Sequence, residues 1–186
     1  MKRKALFLDR DGVINVDRGY VHEQENCAFV DGIFELVRLA NAADYLVVIV
    51  TNQAGIGRGY FSEAQFILFM DWMREMFASQ GAKIDRIYFC PHHSEAGVGS
   101  YKQACFCRKP QPGMFNRAQR DLDLDMSSSL IIGDKLSDLE AGARAGVGRG
   151  FLFVPGEPSH VAFAAPVTGE ISNLLEIRSL LEAPLI

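Results

Sequence analysis

Two aspartates stand two residues apart in the run Asp9-Arg10-Asp11-Gly12, directly after the apolar stretch KALFL. Carboxylates that close repel one another, and they coexist where a divalent cation neutralises them or where one is held protonated. A second acidic site follows the apolar run SLIIG as Gly133-Asp134, with Asp138 one helical turn later. Oxygen donors of this kind make a hard site suited to Mg²⁺. One aspartate after a strand is ordinarily a turn or a helix cap; for the combination the balance reverses. Asp138 taken alone stays open between orienting the metal shell and capping its helix. Thr51, within TNQAGIGRG, and Lys109 add a hydroxyl and an ammonium. A hydroxyl, a lysine, a DxD pair and a distant aspartate together suit phosphoryl transfer.

A second constellation is built from sulfur and nitrogen. Cys90-x-His92 is followed, after twelve intervening residues, by Cys105-x-Cys107, which runs straight into Arg108 and Lys109. Four such ligands meet the tetrahedral demand of zinc and leave no open position, so residues 90–107 read as a structural zinc loop. The competing reading is buried cysteines acting as small hydrophobes. Disulfides are disfavoured, because residues two apart are poorly placed to pair. His93 rivals His92 as the fourth ligand, and the pattern does not choose between them. Cys27 and His160 read as structural bystanders.

Positioning these groups falls to a regular alternation. Residues 4–8, 45–50, 86–90, 129–133 and 150–154 are β-rich runs, while 32–43, 62–79, 112–122 and 137–146 carry apolar residues at helical spacing. Ser62 with Gln65 predicts a capping box for the second helix. Its many aromatic and methionine residues read most simply as core, with a protein interface as the minor alternative. The stretch Pro155 to Pro166 predicts a surface loop before a last helix near 171–182. Near-continuous apolar strands separated by helices imply an α/β fold with a parallel sheet covered on both faces. In such a sheet ligands bind beyond the carboxyl ends of the strands, where the aspartates, Thr51 and Gly133 fall. Gly55, Gly57 and Gly59 lack the GxGxxG order of a dinucleotide site.

With 186 residues, nearly half of them apolar, the chain predicts one domain over 1–186. A net charge of -4 argues against nucleic acid as a partner. The opening MKRKALFLDRDG is neither a signal peptide nor a membrane span, so no membrane association is expected and a cytoplasmic location is. There the four cysteines are expected to be reduced, and their clustering favours a metal or a catalytic role.

The segments LDRDGVIN, the strand ending in Thr51, Lys109 and GDKLSD, in that order, resemble the four motifs of the haloacid dehalogenase superfamily. The resemblance implies its Rossmann-like three-layer fold with a mainly parallel sheet. Short insertions between the strands lead to the expectation of no large cap domain. The resemblance also carries roles for individual residues. It makes Asp9 the nucleophile that becomes an aspartyl phosphate, and Asp11 the acid that protonates the leaving oxygen and then activates water. Mg²⁺ would be held by Asp9, Asp134 and the backbone carbonyl of Asp11, and Thr51 and Lys109 would hold the transferring oxygens.

A narrower resemblance is carried by CPHH...CFCRKPQPGM together with VDRGYVH, TNQAGIGRG, FSEAQF and GDKLSDLEA. These are similar to the heptose 1,7-bisphosphate phosphatases, a branch shared with the histidinol phosphatases. By it Cys90, His92, Cys105 and Cys107 are the Zn²⁺ ligands. Substrate contacts are implied at Asp17, Arg18, Gly19 and Tyr20, at Thr51, Asn52, Gln53 and Ala54, and at Arg108, Lys109 and Lys135. Ala54 departs from a serine frequent in that branch, and Ser94 from a proline. Arg58 reads more readily as solvated surface. The function implied is an Mg²⁺-dependent phosphatase of a small phosphorylated sugar, removing the 7-phosphate of a heptose 1,7-bisphosphate through an aspartyl phosphate, on the route to nucleotide-activated heptose. Histidinol phosphate is the rival substrate, and a non-catalytic zinc-loop binding module the rival of another class. A monomer is expected.

Overall fold

The computed structural model describes residues 2–156 and 167–182. Its centre is a parallel sheet of six strands in the order β3-β2-β1-β4-β5-β6. The strands are β1 (Lys4–Leu8), β2 (Tyr45–Asn52), β3 (Arg86–Cys90), β4 (Leu130–Gly133), β5 (Arg149–Phe153) and β6 (Gly169–Ile171). Because side chains alternate along a strand, each central strand feeds two cores. Leu6, Leu8, Val47 and Ile49 join the layer of α1 (Ile33–Ala42) and α3 (Glu63–Ser79). Ala5, Phe7, Val48 and Val50 join α4 (Gly113–Leu122) and α5 (Leu136–Arg144) on the other face. Burial on both faces explains why these strands read as apolar runs and not as alternating ones.

β1 lies between β2 and β4: the chain steps outward through β2 and β3 on one side of it, then crosses to β4 and continues through β5 and β6 on the other. The carboxyl ends of β1 and β4 therefore border the switch point of the sheet, the crevice in which open α/β sheets bind ligands. Asp9 leaves β1 there and donates its backbone N–H to Ile132 O in β4 at 3.0 Å.

The predicted capping box is present: Gln65 N–H donates to Ser62 Oγ at 3.2 Å and Ser62 N–H to Gln65 Oε1 at 2.8 Å. Two expectations change and one short helix is added. β2 continues through Asn52, paired as Thr51↔Phe89 and Asn52↔Cys90, so Thr51 is a strand residue and does not follow the strand. A four-residue helix, α2 (Ala54–Gly57), starts two residues later. The last helix predicted near 171–182 divides into β6, a 3-10 turn at Leu174–Ile177 and α6 (Arg178–Glu182). Three residues carry too little periodicity to announce a strand; pairing along β5 makes β6. Apart from Pro155 and Gly156, the predicted loop of 155–166 lies outside the described residues, as does His160. Among the described residues no helix is long and apolar enough to cross a membrane.

Candidate active site

The turn after β1 brings the acidic clusters together. Gly12, at φ 96°, adopts a conformation that favours glycine, and a Cβ there would run into the Asp134 carboxylate. Gly133 is constrained in the same way, since its Cβ would meet the side chain of Asp138. With both glycines in place, oxygens of Asp9, Asp134 and Asp138 all lie within 4.8 Å of one another. Burial pushes Asp9 up to about 6, with Lys109 opposing and Asp138 reinforcing the rise. Burial raises Asp134 to about 6 as well, aided by the charge on Asp9. Asp134 Oδ1 is buried without a hydrogen-bond partner. Three hard oxygen donors and an orphaned carboxylate oxygen fit a divalent cation. Asp11 does not extend this carboxylate cluster, because its side chain is turned toward Arg10, Asn15 and Gln53.

A divalent cation bound at this cluster would compete with protons for the same oxygens. Groups with pKa values near 6 are ionised at pH 7.5 and largely protonated at pH 5, so a cation must displace protons at the lower pH. The apparent Mg²⁺ Kd is therefore expected to rise about 10- to 100-fold between pH 7.5 and 5, as one or two protons are displaced. Titration calorimetry across that range checks it, and a flat profile would remove Asp9 and Asp134 from the metal site.

Lys109 is the countercharge. Its ammonium is buried and donates to Asp9 Oδ1 at 2.8 Å, Asp138 Oδ1 at 2.7 Å and Val50 O at 2.8 Å. Burial alone would lower its pKa; the two carboxylates outweigh that and hold it raised. All three ammonium protons are thus in use. Asn52 fixes the backbone of the same residue from β2, its Oδ1 accepting from Lys109 N–H and its Nδ2 donating to Lys109 O, each at 3.1 Å. Asp138 caps its helix, its Oδ2 accepting from Lys135 N–H at the head of α5 at 3.1 Å, while its Oδ1 stays on Lys109.

These groups line a cavity of about 480 Å³. Asp9, Asp11, Asp17, Gly19, Tyr20, Thr51, Asn52, Gln53, Ala54, Arg108, Lys109 and Lys135 all border it, with Gly55, Ser137 and Asp138 as lining residues the sequence did not single out for substrate. Arg18 is exposed and is not part of the lining. Asp134 borders a neighbouring cavity of about 750 Å³ that shares Asp17. Gln53 Nε2 ties two elements of the site, donating to Thr51 Oγ1 at 2.8 Å and Asp11 Oδ2 at 3.0 Å. Lys135 reaches Asp17 and Asp134, each at 3.4 Å. Arg58 is not a plain solvated residue: its guanidinium lies 5.9 Å from the ring centroid of Tyr20.

The sulfur cluster forms at the carboxyl end of β3. Cys90, Cys105 and Cys107 have their Sγ atoms 3.2 to 3.5 Å apart, and His92 Nδ1 lies 3.3 Å from Cys107 and 3.7 Å from Cys90. A tetrahedral zinc with Zn–S bonds of about 2.3 Å sets sulfurs roughly 3.8 Å apart, so small outward shifts would admit the ion. His93 faces elsewhere, its Nδ1 accepting from Glu95 and Ala96 N–H in the following turn. Burial raises the Cys90 and Cys107 thiols. The donor set is therefore complete and suits zinc. From this cluster the chain passes directly to Arg108, whose Nη1 donates to His92 O at 3.2 Å.

A switch-point site of carboxylates around a buried lysine is the arrangement of a haloacid dehalogenase-like hydrolase, and comparisons agree. A family model described as HAD-hydrolase-like matches residues 106–153. A magnesium and phosphate complex of D,D-heptose 1,7-bisphosphate phosphatase from B. bronchiseptica superposes with a TM-score of 0.80 at 31% identity, covering 96% of this chain and 97% of that one. Among curated relatives, D-glycero-alpha-D-manno-heptose-1,7-bisphosphate 7-phosphatase of Burkholderia mallei is 57% identical over 89% of this chain and 87% of its own. The beta-named enzyme of Vibrio cholerae is 51% identical over 85% of each chain. The chain belongs to the heptose-1,7-bisphosphate 7-phosphatase family of the HAD-like hydrolases.

Proposed function

We propose that the protein is an Mg²⁺-dependent phosphatase that removes the 7-phosphate of a D-glycero-D-manno-heptose 1,7-bisphosphate, acting as a one-domain monomer in the cytoplasm. The observation that carries the reading is Asp9, buried at the end of β1 with Lys109 at 2.8 Å and facing a cavity that also holds Asp11, Thr51 and Arg108. Asp9 attacks phosphorus, the bond to the sugar oxygen breaks, and that oxygen takes its electron pair and a proton from Asp11. In the second step Asp11 removes a proton from water, the water oxygen bonds to phosphorus, and the electron pair of the broken bond returns to Asp9.

Asp9, Asp134 and the Asp11 carbonyl would hold Mg²⁺, which would supply positive charge to offset repulsion between the nucleophile and the phosphate. Lys109, with its protons engaged by Asp9, Asp138 and Val50, aims the nucleophile and balances charge there. Thr51 keeps its hydroxyl proton for a phosphoryl oxygen while accepting from Gln53. Arg108 forks onto the phosphate that is not cleaved. Cys90, His92, Cys105 and Cys107 would hold a structural Zn²⁺ that braces the loop. Asp17, Gly19, Tyr20 and Ala54 wall the sugar, with Lys135 held at the rim by Asp17 and Asp134.

Histidinol phosphate has a cationic amine and no second phosphate, so Arg108 and Lys135 disfavour it. Since relatives are named for both anomers, phosphate release from the alpha and beta heptose bisphosphates is compared with that from histidinol phosphate. One heptose anomer is expected to exceed histidinol phosphate in kcat/KM at least about 100-fold, the size of one well-placed charged contact. A preference for histidinol phosphate would overturn the substrate assignment, and no turnover of any of the three would overturn the enzyme.

A further inference from the structure

Arg10 separates Asp9 from Asp11, and no motif gives it a task. It is nevertheless completely buried and heads the largest fully buried side chains. Its Nη2 lies 2.6 Å from both carboxylate oxygens of Asp11, with Nε 3.1 Å from Oδ1. Nη2 also donates to Val21 O at 2.7 Å, and the guanidinium lies 5.4 Å and 5.7 Å from the ring centroids of Phe69 and Phe66 on α3. Asn15 and Gln53 complete the grip on the same carboxylate, at 3.1 and 3.0 Å.

The geometry serves Asp11 more than it serves stability. A guanidinium sealed in a core is costly unless every donor is matched, and Nη1 has no partner. What the burial does achieve is rigidity: a planar fork set against two rings cannot rotate away, whereas a lysine offers a point charge on a flexible stem. Asp11 by contrast borders the cavity, where a carboxyl on an unsupported turn would sample several rotamers.

We propose that Arg10 is a positioning residue that holds the Asp11 carboxyl in the orientation for proton exchange with the leaving oxygen and the attacking water. This rests on the phosphatase reading. A sugar alkoxide needs a proton to leave and a dinitrophenolate does not, so loss of Arg10 should be felt selectively. Arg10→Lys is expected to lower kcat on the heptose bisphosphate about 10- to 100-fold with KM within about threefold, the range for a displaced general acid. Single-turnover release of dinitrophenolate from 2,4-dinitrophenyl phosphate should stay within about threefold of wild type, and in an Asp11→Asn background Arg10→Lys should add less than about twofold.

Phe69→Leu, which keeps the charge and loosens its seat, should repeat the selective pattern at about two- to fivefold and serves if Arg10→Lys does not fold. Equal losses on both substrates, additivity with Asp11→Asn, or no loss in whichever variant is folded would overturn the proposal. A wild-type protein inactive on both phosphates would instead overturn the phosphatase reading.

Discussion

Asp9→Asn is expected to lower kcat on the heptose bisphosphate by about 10⁴-fold or more, with the fold intact. The amide oxygen is not a competent nucleophile, and no neighbour can stand in, since Asp134 and Asp138 are committed to the cluster and Asp11 to Arg10. Stability should change little. The substitution removes one negative charge beside Lys109 but leaves an amide oxygen that can accept, Asp138 and Val50 O remain, and carboxylate repulsion in a buried site is relieved. Phosphate release and thermal unfolding of the same sample check both halves. A rate within tenfold of wild type would reject Asp9 as nucleophile; a collapsed fold would show that Lys109 depends on it.

Replacing Cys105 by Ser should act at a distance. A serine hydroxyl is a poor zinc ligand at neutral pH, so bound zinc should fall well below one per chain. Because structural zinc contributes about 10 to 16 kcal/mol in small zinc domains, loss of one of four ligands is expected to cost on the order of 2 to 4 kcal/mol, or about 10 °C in Tm. Activity should fall roughly 10- to 100-fold as well, since Arg108 and Lys109 follow the cluster directly and Arg108 is tied to His92 O. A mobile loop would have to order both basic side chains in each reaction cycle. Metal analysis with unchanged zinc would refute the ligand assignment. Normal activity without zinc would separate the brace from the basic pair it delivers.

Much of this was legible in the residues because the chemistry is encoded locally. Carboxylates and a hydroxyl at strand ends, a lysine just after a cysteine pair, and ligands in tight pairs at a zinc-like interval are recognisable before any contact is known. Burial of the central strands followed from their unbroken apolar runs. Less local features were not legible. The sixth strand is three residues long and exists only through its pairing with β5. Asn52, a substrate contact by resemblance, borders the cavity but spends both ends of its amide on the backbone of Lys109, 57 positions away. His92 and His93 are equivalent by spacing, and the turn at Glu95 and Ala96 separates them.

By itself, then, the sequence determined the kinds of group available and the strand ends that present them, since residue type and hydrophobic period are properties of short segments. Only the tertiary structure decided how those groups are shared. Lys109 is divided between Asp9 and Asp138, Gln53 between Thr51 and Asp11, and Arg10 is buried against α3 to grip Asp11. The reason is physical: hydrogen bonds and ion pairs assign each donor proton to a partner in three dimensions, so one side chain can serve several. Which partner wins depends on distance and burial, and these are set by elements far apart along the chain.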